Sequence, residues 1–528
     1  MGEVSVSGRS ACIDRVPLRA SGGGLAYHAR TMYVVVIGVL SLVLAFSAPP
    51  LRWITGPSAA IASAVAATLV PVVAAWIVGR RALRLLDRNP ADPGIGQFAF
   101  GRGMLIVRAL LGLAHAGLLA TTDWMTLCLH TPIVGRWPAV GGLLAAVPLL
   151  VSILLVWIVV YPVERAIREI ALETYLFRGR PVRPVWSLAQ YLVFNLRHQV
   201  LFILVPLLMI LAARDIIVAY ERPLRAWSGQ KMFPDLLLGV CAGAVAVVTP
   251  ALLRRIWVTQ PLPDGPLRDR LMHLCRRLKM RCREVLIWHS GGMIVNAAVM
   301  GVVAPLRYFL ITDGMLEQMQ DVRIEAVFGH EAGHVKRHHI LFFLLFAFIS
   351  GCAITSVSQR CHGLDKTTYQ AVILITSAAL VFKWGVLFGW VSRRFERQAD
   401  VFGVRTLALA GIPCLMDCAL HGEANNREAS PKPDDRRGDP LCMTAANIFA
   451  QTLHEVAALN GIPVEARSWR HGSIASRGRA LVQLARDPLA TARFERRLFY
   501  VKLAILLAAL GAGAVAATDV GLWKLLGL

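Results

Sequence analysis

The stretch Asp321-Val-Arg-Ile-Glu-Ala-Val-Phe-Gly-His330-Glu331-Ala332-Gly333-His334-Val-Lys-Arg-His338-His339 runs directly into Ile340-Leu-Phe-Phe-Leu-Leu-Phe-Ala-Phe-Ile-Ser350. Its first part is charged and the second is nearly pure hydrocarbon. That junction places a polar helix at the edge of a membrane, because about 20 apolar residues are needed to cross one and an apolar run of that kind continues to 358. His330 and His334 are four apart, so on a helix they share a face and can offer two imidazole nitrogens to one metal ion. Glu331 stands beside them, within reach of a water activated at that metal. His454-Glu455 is the counterexample, since Ala458 stands where a second imidazole would be required.

Outward from this stretch, composition agrees with a membrane. Of 528 residues 56% are apolar and only 17% charged, against about 25% charged in soluble chains. Mean hydropathy is +0.56. Apolar runs occupy 32–48, 57–78, 103–121, 138–161, 199–213, 234–252, 340–358, 369–390 and 501–517, which suggests nine crossings. The run at 199–213 is short. The run at 103–121 carries Arg108 and His115, expected to face a neighbouring helix or snorkel. Lys383, in the eighth run, is read as snorkelling.

The net charge of +23 would suggest nucleic acid in a soluble protein. Here the arginines flank apolar runs, so the partner they imply is the lipid bilayer and no nucleic acid is expected. The segments after the second and fourth runs are rich in Arg (Arg80, Arg81, Arg84, Arg88; Arg165, Arg168, Arg178, Arg180), while those after the first and third hold only Arg52 and Arg136. The positive-inside rule then puts the N-terminus and the His330 segment on the cytoplasmic side. The ten cysteines contain no Cys-x-x-Cys pair, which argues against a disulfide framework and against a Cys-based zinc site.

A catalytic zinc takes three protein ligands and keeps one position open. Ile340 stands where a metzincin would place its third His. The better candidate is Ser392-Arg-Arg-Phe-Glu396-Arg-Gln-Ala-Asp400. Glu396 can complete the ligand set, and Asp400, four residues on, can hold a ligand imidazole through its other nitrogen. The intervening runs form a membrane hairpin that returns Glu396 to the same membrane face as His330.

These residues, with Asn296-Ala297, Gly301, Thr312-Asp313-Gly314, Glu325-Ala326 and His339, resemble the HtpX-like and CAAX prenyl endopeptidase-like family of membrane zinc metallopeptidases over roughly 265–480. The resemblance implies zinc as cofactor, Glu331 as general base and a peptide or membrane-protein substrate. It also implies that His471 donates to the developing oxyanion and that Arg477, six residues later, shapes the substrate pocket. Gly472 follows His471 where the family usually has Pro. An edge strand beside the zinc would hold an extended peptide through its backbone, making Asn296 and Ala297 substrate-binding. His338 is read as an interface residue stacked above His330 and His334.

The expected architecture is an α-helical multi-pass membrane protein with an α+β zincin-type metallopeptidase domain interrupted by a transmembrane hairpin. Its expected parts are a cytoplasmic segment 1–31, a six-helix region 32–255, a first domain half 262–340, the hairpin 341–390, a second half 391–498 with a flexible loop 422–441, and a terminal span 501–517. A bacterial inner membrane, with the site facing the cytoplasm, is the expected location. The rival readings are a metal transporter, which would hold its ligands within crossing helices, and an inactive scaffold or chaperone, which retention of Glu331 disfavours.

Overall fold

The computed structural model describes residues 53–519 apart from 131–136, 178, 180–183, 230–232, 293, 362, 423–439 and 461. The protein is mostly α-helical and multi-pass. Among the described residues, eight helices are long and apolar enough to cross a membrane, and they coincide with the eight apolar runs from residue 57 onward. The run at 32–48 lies outside the described residues, as does most of the loop expected over 422–441. The short run at 199–213 is the middle of a longer helical stretch, Leu188–Ala219, in which a π-helical segment, Leu196–Leu201, joins two α-helical pieces. Arg108 and His115 are buried against neighbouring helices and do not snorkel.

After the fifth of these helices, Phe233–Ile256, the chain builds a small sheet. Its strands are β1 (Thr259–Pro261), β2 (Glu284–Trp288), β3 (Ala297–Met300) and β4 (Tyr308–Thr312), in spatial order β1-β2-β4-β3. β2 and β4 are parallel; the outer pairs are antiparallel. Every residue of β4 is buried, as a strand covered on both faces requires. On one face Val285, Phe309 and Ile311 pack against Leu271 and Leu274 of α1 (Pro266–Arg277). On the other, Leu286, Trp288 and Leu310 meet Leu253 and Trp257 at the end of the membrane helix. The sheet is therefore anchored to the bundle by its own hydrophobic core.

The polar stretch through His339 does not form one continuous helix. The chain instead forms α2 (Asp313–Gln318), whose N-terminus is capped by the Thr312 hydroxyl, then α3 (Asp321–Lys336) and α4 (His339–Arg360). His338 separates the last two with φ of 56°, in the left-handed region, so it does not continue the His330–His334 face. The hairpin is α4 followed by α5 (Lys366–Phe382), which passes through a π-helical turn, Lys383–Leu387, into α6 (Phe388–Leu409). Lys383 departs from the snorkelling expectation: its ammonium donates to the Phe346 carbonyl at 2.5 Å and the Ser350 hydroxyl at 2.6 Å, both on α4. The remaining helices are α7 (Met443–Leu459), α8 (Ile474–Arg486) and α9 (Pro488–Asp519). Cys414, Cys418 and Cys442 gather here with His421 in a group that could hold a metal ion, which the lack of a Cys-x-x-Cys pair argued against.

The helix pair α3 and α6 positions the site. Gly329 and Gly333 lie one turn apart on α3. A Cβ on Gly333 would sit 3.0 Å from the Ala399 Cα, and one on Gly329 would sit 2.8 Å from the Thr406 Cβ. Only hydrogen at these positions lets the two backbones approach this closely, which aligns Glu396 and Asp400 with His330 and His334.

Candidate active site

His330 and His334 project from α3 with their Nε2 atoms 3.2 Å apart. Glu396 approaches from α6, its Oε2 3.6 Å from His330 Nε2 and its Oε1 3.7 Å from His334 Nε2. The edges of a tetrahedron with ligand bonds of about 2.0–2.1 Å are roughly 3.3–3.4 Å long. The three donors thus already have nearly the spacing that a small tetrahedral cation demands.

The opposite ring nitrogens are held. His330 Nδ1 lies 2.9 Å from Asp400 Oδ1. A carboxylate only accepts, so this proximity favours the tautomer with the proton on Nδ1, which leaves the Nε2 lone pair for a metal. Asp400 is in turn gripped by Arg477, whose Nε and Nη2 donate to its two oxygens at 2.8 and 2.6 Å. Arg477 Nη1 also lies 3.5 Å from Glu396 Oε2. Arg477 is buried, and its guanidinium is engaged by these two carboxylates.

His334 is held by a different chain of contacts. Its Nδ1 lies 3.0 Å from His339 Nδ1, and His339 Nε2 lies 2.9 Å from Gln398 Oε1. Lys502 of α9 donates to the same oxygen at 2.9 Å and to the Arg337 carbonyl at 2.7 Å. One proton assignment satisfies the chain: His334 Nδ1–H donates to His339, His339 Nε2–H donates to Gln398, and His334 Nε2 stays open. Burial, reinforced by His330, pushes the His334 pKa down to about 3, so the ring stays neutral and able to ligate. His339 was visible in the sequence; Gln398 and Lys502 were not, because their spacing to the motif follows only from the way α6 and α9 pack.

Glu331 points toward the sheet. The Val299 N–H of β3 donates to its Oε2 at 3.1 Å. Burial pushes its pKa up to about 7, against the pull of His330. A carboxyl poised there can exchange a proton near neutral pH. β3 is the outer strand of the sheet. Thr312 donates its N–H to the Asn296 carbonyl at 3.0 Å. By the alternation of an antiparallel pair, Ala297 and Val299 therefore turn their backbone groups outward, toward α3. The Asn296 side chain is exposed and that of Ala297 is buried.

His471 comes from the turn before α8, which closes between Ser468 and Gly472. Its Nδ1 is 2.9 Å from Glu396 Oε2, and the ring is 47% exposed. It therefore touches a candidate ligand directly, which its distance in sequence did not suggest. Gly472 has φ of 76°. Proline, fixed near −65°, could not occupy that conformation, so the turn is built differently from one with Pro after the His.

Residues 261–423 match peptidase family M48. A CAAX prenyl protease 1 homolog of Arabidopsis thaliana is 30% identical over 160 residues, covering 28% of this chain and 38% of that protein. The protease HtpX of Chromohalobacter salexigens is 25% identical over 182 residues, covering 32% of this chain and 59% of its own length. Over this region the chain is similar to the HtpX- and CAAX-protease-like members of peptidase family M48. The chain spans less than two thirds of the length of either relative. The crystal structure of S. mikatae Ste24p aligns with 80% of this chain and 97% of its own, at 11% identity and a TM-score of 0.43.

Proposed function

We propose that this chain is an M48-type, membrane-embedded zinc metalloendopeptidase. The observation that carries the reading is the convergence of His330 Nε2, His334 Nε2 and the Glu396 carboxylate, with both Nδ1 atoms held from behind. Zinc bound by these three supplies Lewis-acid activation of water and of a peptide carbonyl. Glu331 takes the proton of the attacking water and returns it to the leaving amine. His471, at the exposed edge of the ligand set, donates to the oxygen on which charge develops. Asp400 and Arg477 keep His330 and Glu396 in place.

The substrate lies extended beside β3. The outward backbone groups of Ala297 and the outward carbonyl of Val299, whose N–H is already given to Glu331, bind it as an added strand, with the Asn296 side chain at the strand's start. Backbone recognition makes few demands on sequence, which suits damaged or partly unfolded membrane proteins as well as precursors. The Arg-rich segments after the second and fourth runs support a site on the cytoplasmic side, and the bacterial HtpX relatives support a bacterial inner membrane. The domain is read as two halves, 262–340 and 391–498, separated by the hairpin 341–390.

The test is Glu331→Gln in the full chain. Zinc content should stay at the wild-type level while casein cleavage falls by about 10²–10⁴. Near-normal cleavage would overturn the mechanism, and an inactive wild type with full zinc would favour the scaffold reading.

A further inference from the structure

A second group of metal-ligating side chains lies beyond α6, where the mechanism has no use for it. Cys414, Cys418, His421 and Cys442 each place one ligand atom so that all four lie within 4.8 Å of one another. The Sγ atoms of Cys414 and Cys418 are 3.6 Å apart, and Cys418 Sγ is 3.4 Å from His421 Nδ1. With bonds of about 2.3 Å to sulfur and 2.0–2.1 Å to nitrogen, a tetrahedral site has S···S edges of roughly 3.8 Å and S···N edges of roughly 3.5 Å. A disulfide would require about 2.05 Å between sulfurs. The observed spacing is that of ligands around a common centre.

The backbone around the group is tightly turned. Cys418 and Gly422 exchange both backbone hydrogen bonds, at 3.2 and 2.9 Å, closing a tight turn that brings His421 back onto Cys418. The His421 N–H donates to Cys418 Sγ at 3.3 Å, and the Thr444 hydroxyl lies 3.7 Å from Cys414 Sγ. Donors aimed at sulfur stabilise the thiolate, the form that binds metal. Cys442 is the N-cap residue of α7, where the unpaired helix amides favour negative charge.

We propose that Cys414, Cys418, His421 and Cys442 form a structural zinc site. Binding displaces the thiol protons to water and leaves the metal with four protein ligands. No open position remains, so the site is structural and not hydrolytic. Its position explains its use. Cys414 and Cys442 belong to the same core as Val401, Val404 and Leu407 of α6, the helix that carries Glu396 and Asp400. The metal would clip the end of that helix to the start of α7, across a chain segment that otherwise has to be closed at an entropic cost.

The test uses the full-length chain purified in detergent. Metal analysis should give two zinc per chain, falling to one in Cys414→Ser/Cys418→Ser and to one in His334→Ala. Cobalt substitution should give a strong near-ultraviolet thiolate-to-metal absorption that survives His334→Ala and is lost in the cysteine variant. X-ray absorption of the wild type, which requires no variant to fold, should show a sulfur shell. The proposal is overturned by a wild type without sulfur around zinc, by a cysteine variant that keeps both metals, or by thiol titration that finds a disulfide among the three cysteines. Failure of the catalytic reading would look different: zinc unchanged in His334→Ala, with the sulfur-bound metal still present.

Discussion

Two candidate metal-ligand clusters are tied to α6, one through Glu396 on the helix and one just beyond its end at Cys414, and they differ in the way catalytic and structural zinc sites differ. The His330, His334 and Glu396 set uses nitrogen and oxygen, has three members, and has a half-exposed imidazole at its edge. The Cys414, Cys418, His421 and Cys442 set uses sulfur, has four members, and two of them are buried. An open hard-donor site can admit water and substrate; a closed thiolate site can only hold the chain. The contrast extends to their support. The first is held by long-range packing of three helices, the second by a tight turn and one helix cap.

The largest effect should come from separating α3 from α6. Gly333→Leu drives a side chain into the Ala399 backbone, and cleavage should become undetectable with loss of one zinc, while the thiolate-to-cobalt band persists. If both metals leave together, the two clusters do not stand apart as described. His471→Ala comes next: kcat should fall by about 10²-fold, the cost of one preorganised donor, with zinc retained and KM less affected. Loss of zinc in parallel with activity would make His471 a support for Glu396, as their 2.9 Å contact permits. Gln398→Leu should weaken zinc binding at the first cluster by about 10–100-fold, because it frees the His339 that orients His334; an unchanged dissociation constant would remove that chain from the site. The smallest effect on kcat should come from Cys442→Ser, whose cost should appear as a lower melting temperature. A kcat loss as deep as that of His471→Ala would show the thiolate cluster to be coupled to the chemistry.

Legibility in the sequence followed the range of the interaction. His330, Glu331 and His334 are readable because one helical turn relates them. Glu396 and Asp400 are readable as a second such turn. The end of α3 at Lys336 is not legible in the sequence, because the turn at His338 depends on a left-handed residue that few sequence signals announce. The thiolate cluster was missed for a narrower reason. Its first pair is Cys-x-x-x-Cys, within the ordinary range for zinc, but Cys442 enters from across the segment 423–439.

By itself the sequence determined the membrane character, the eight described spans, the zinc-motif helix and the identity of the third candidate ligand, since each depends on composition or on neighbours within a turn. Tertiary structure alone decided which side chains stand behind those ligands. Arg477, Gln398 and Lys502 come from three different helices, and no local periodicity relates them. Their partnership exists because Gly329 and Gly333 let α3 and α6 pack backbone to backbone, and because α9 returns along α4 to bring Lys502 over Gln398.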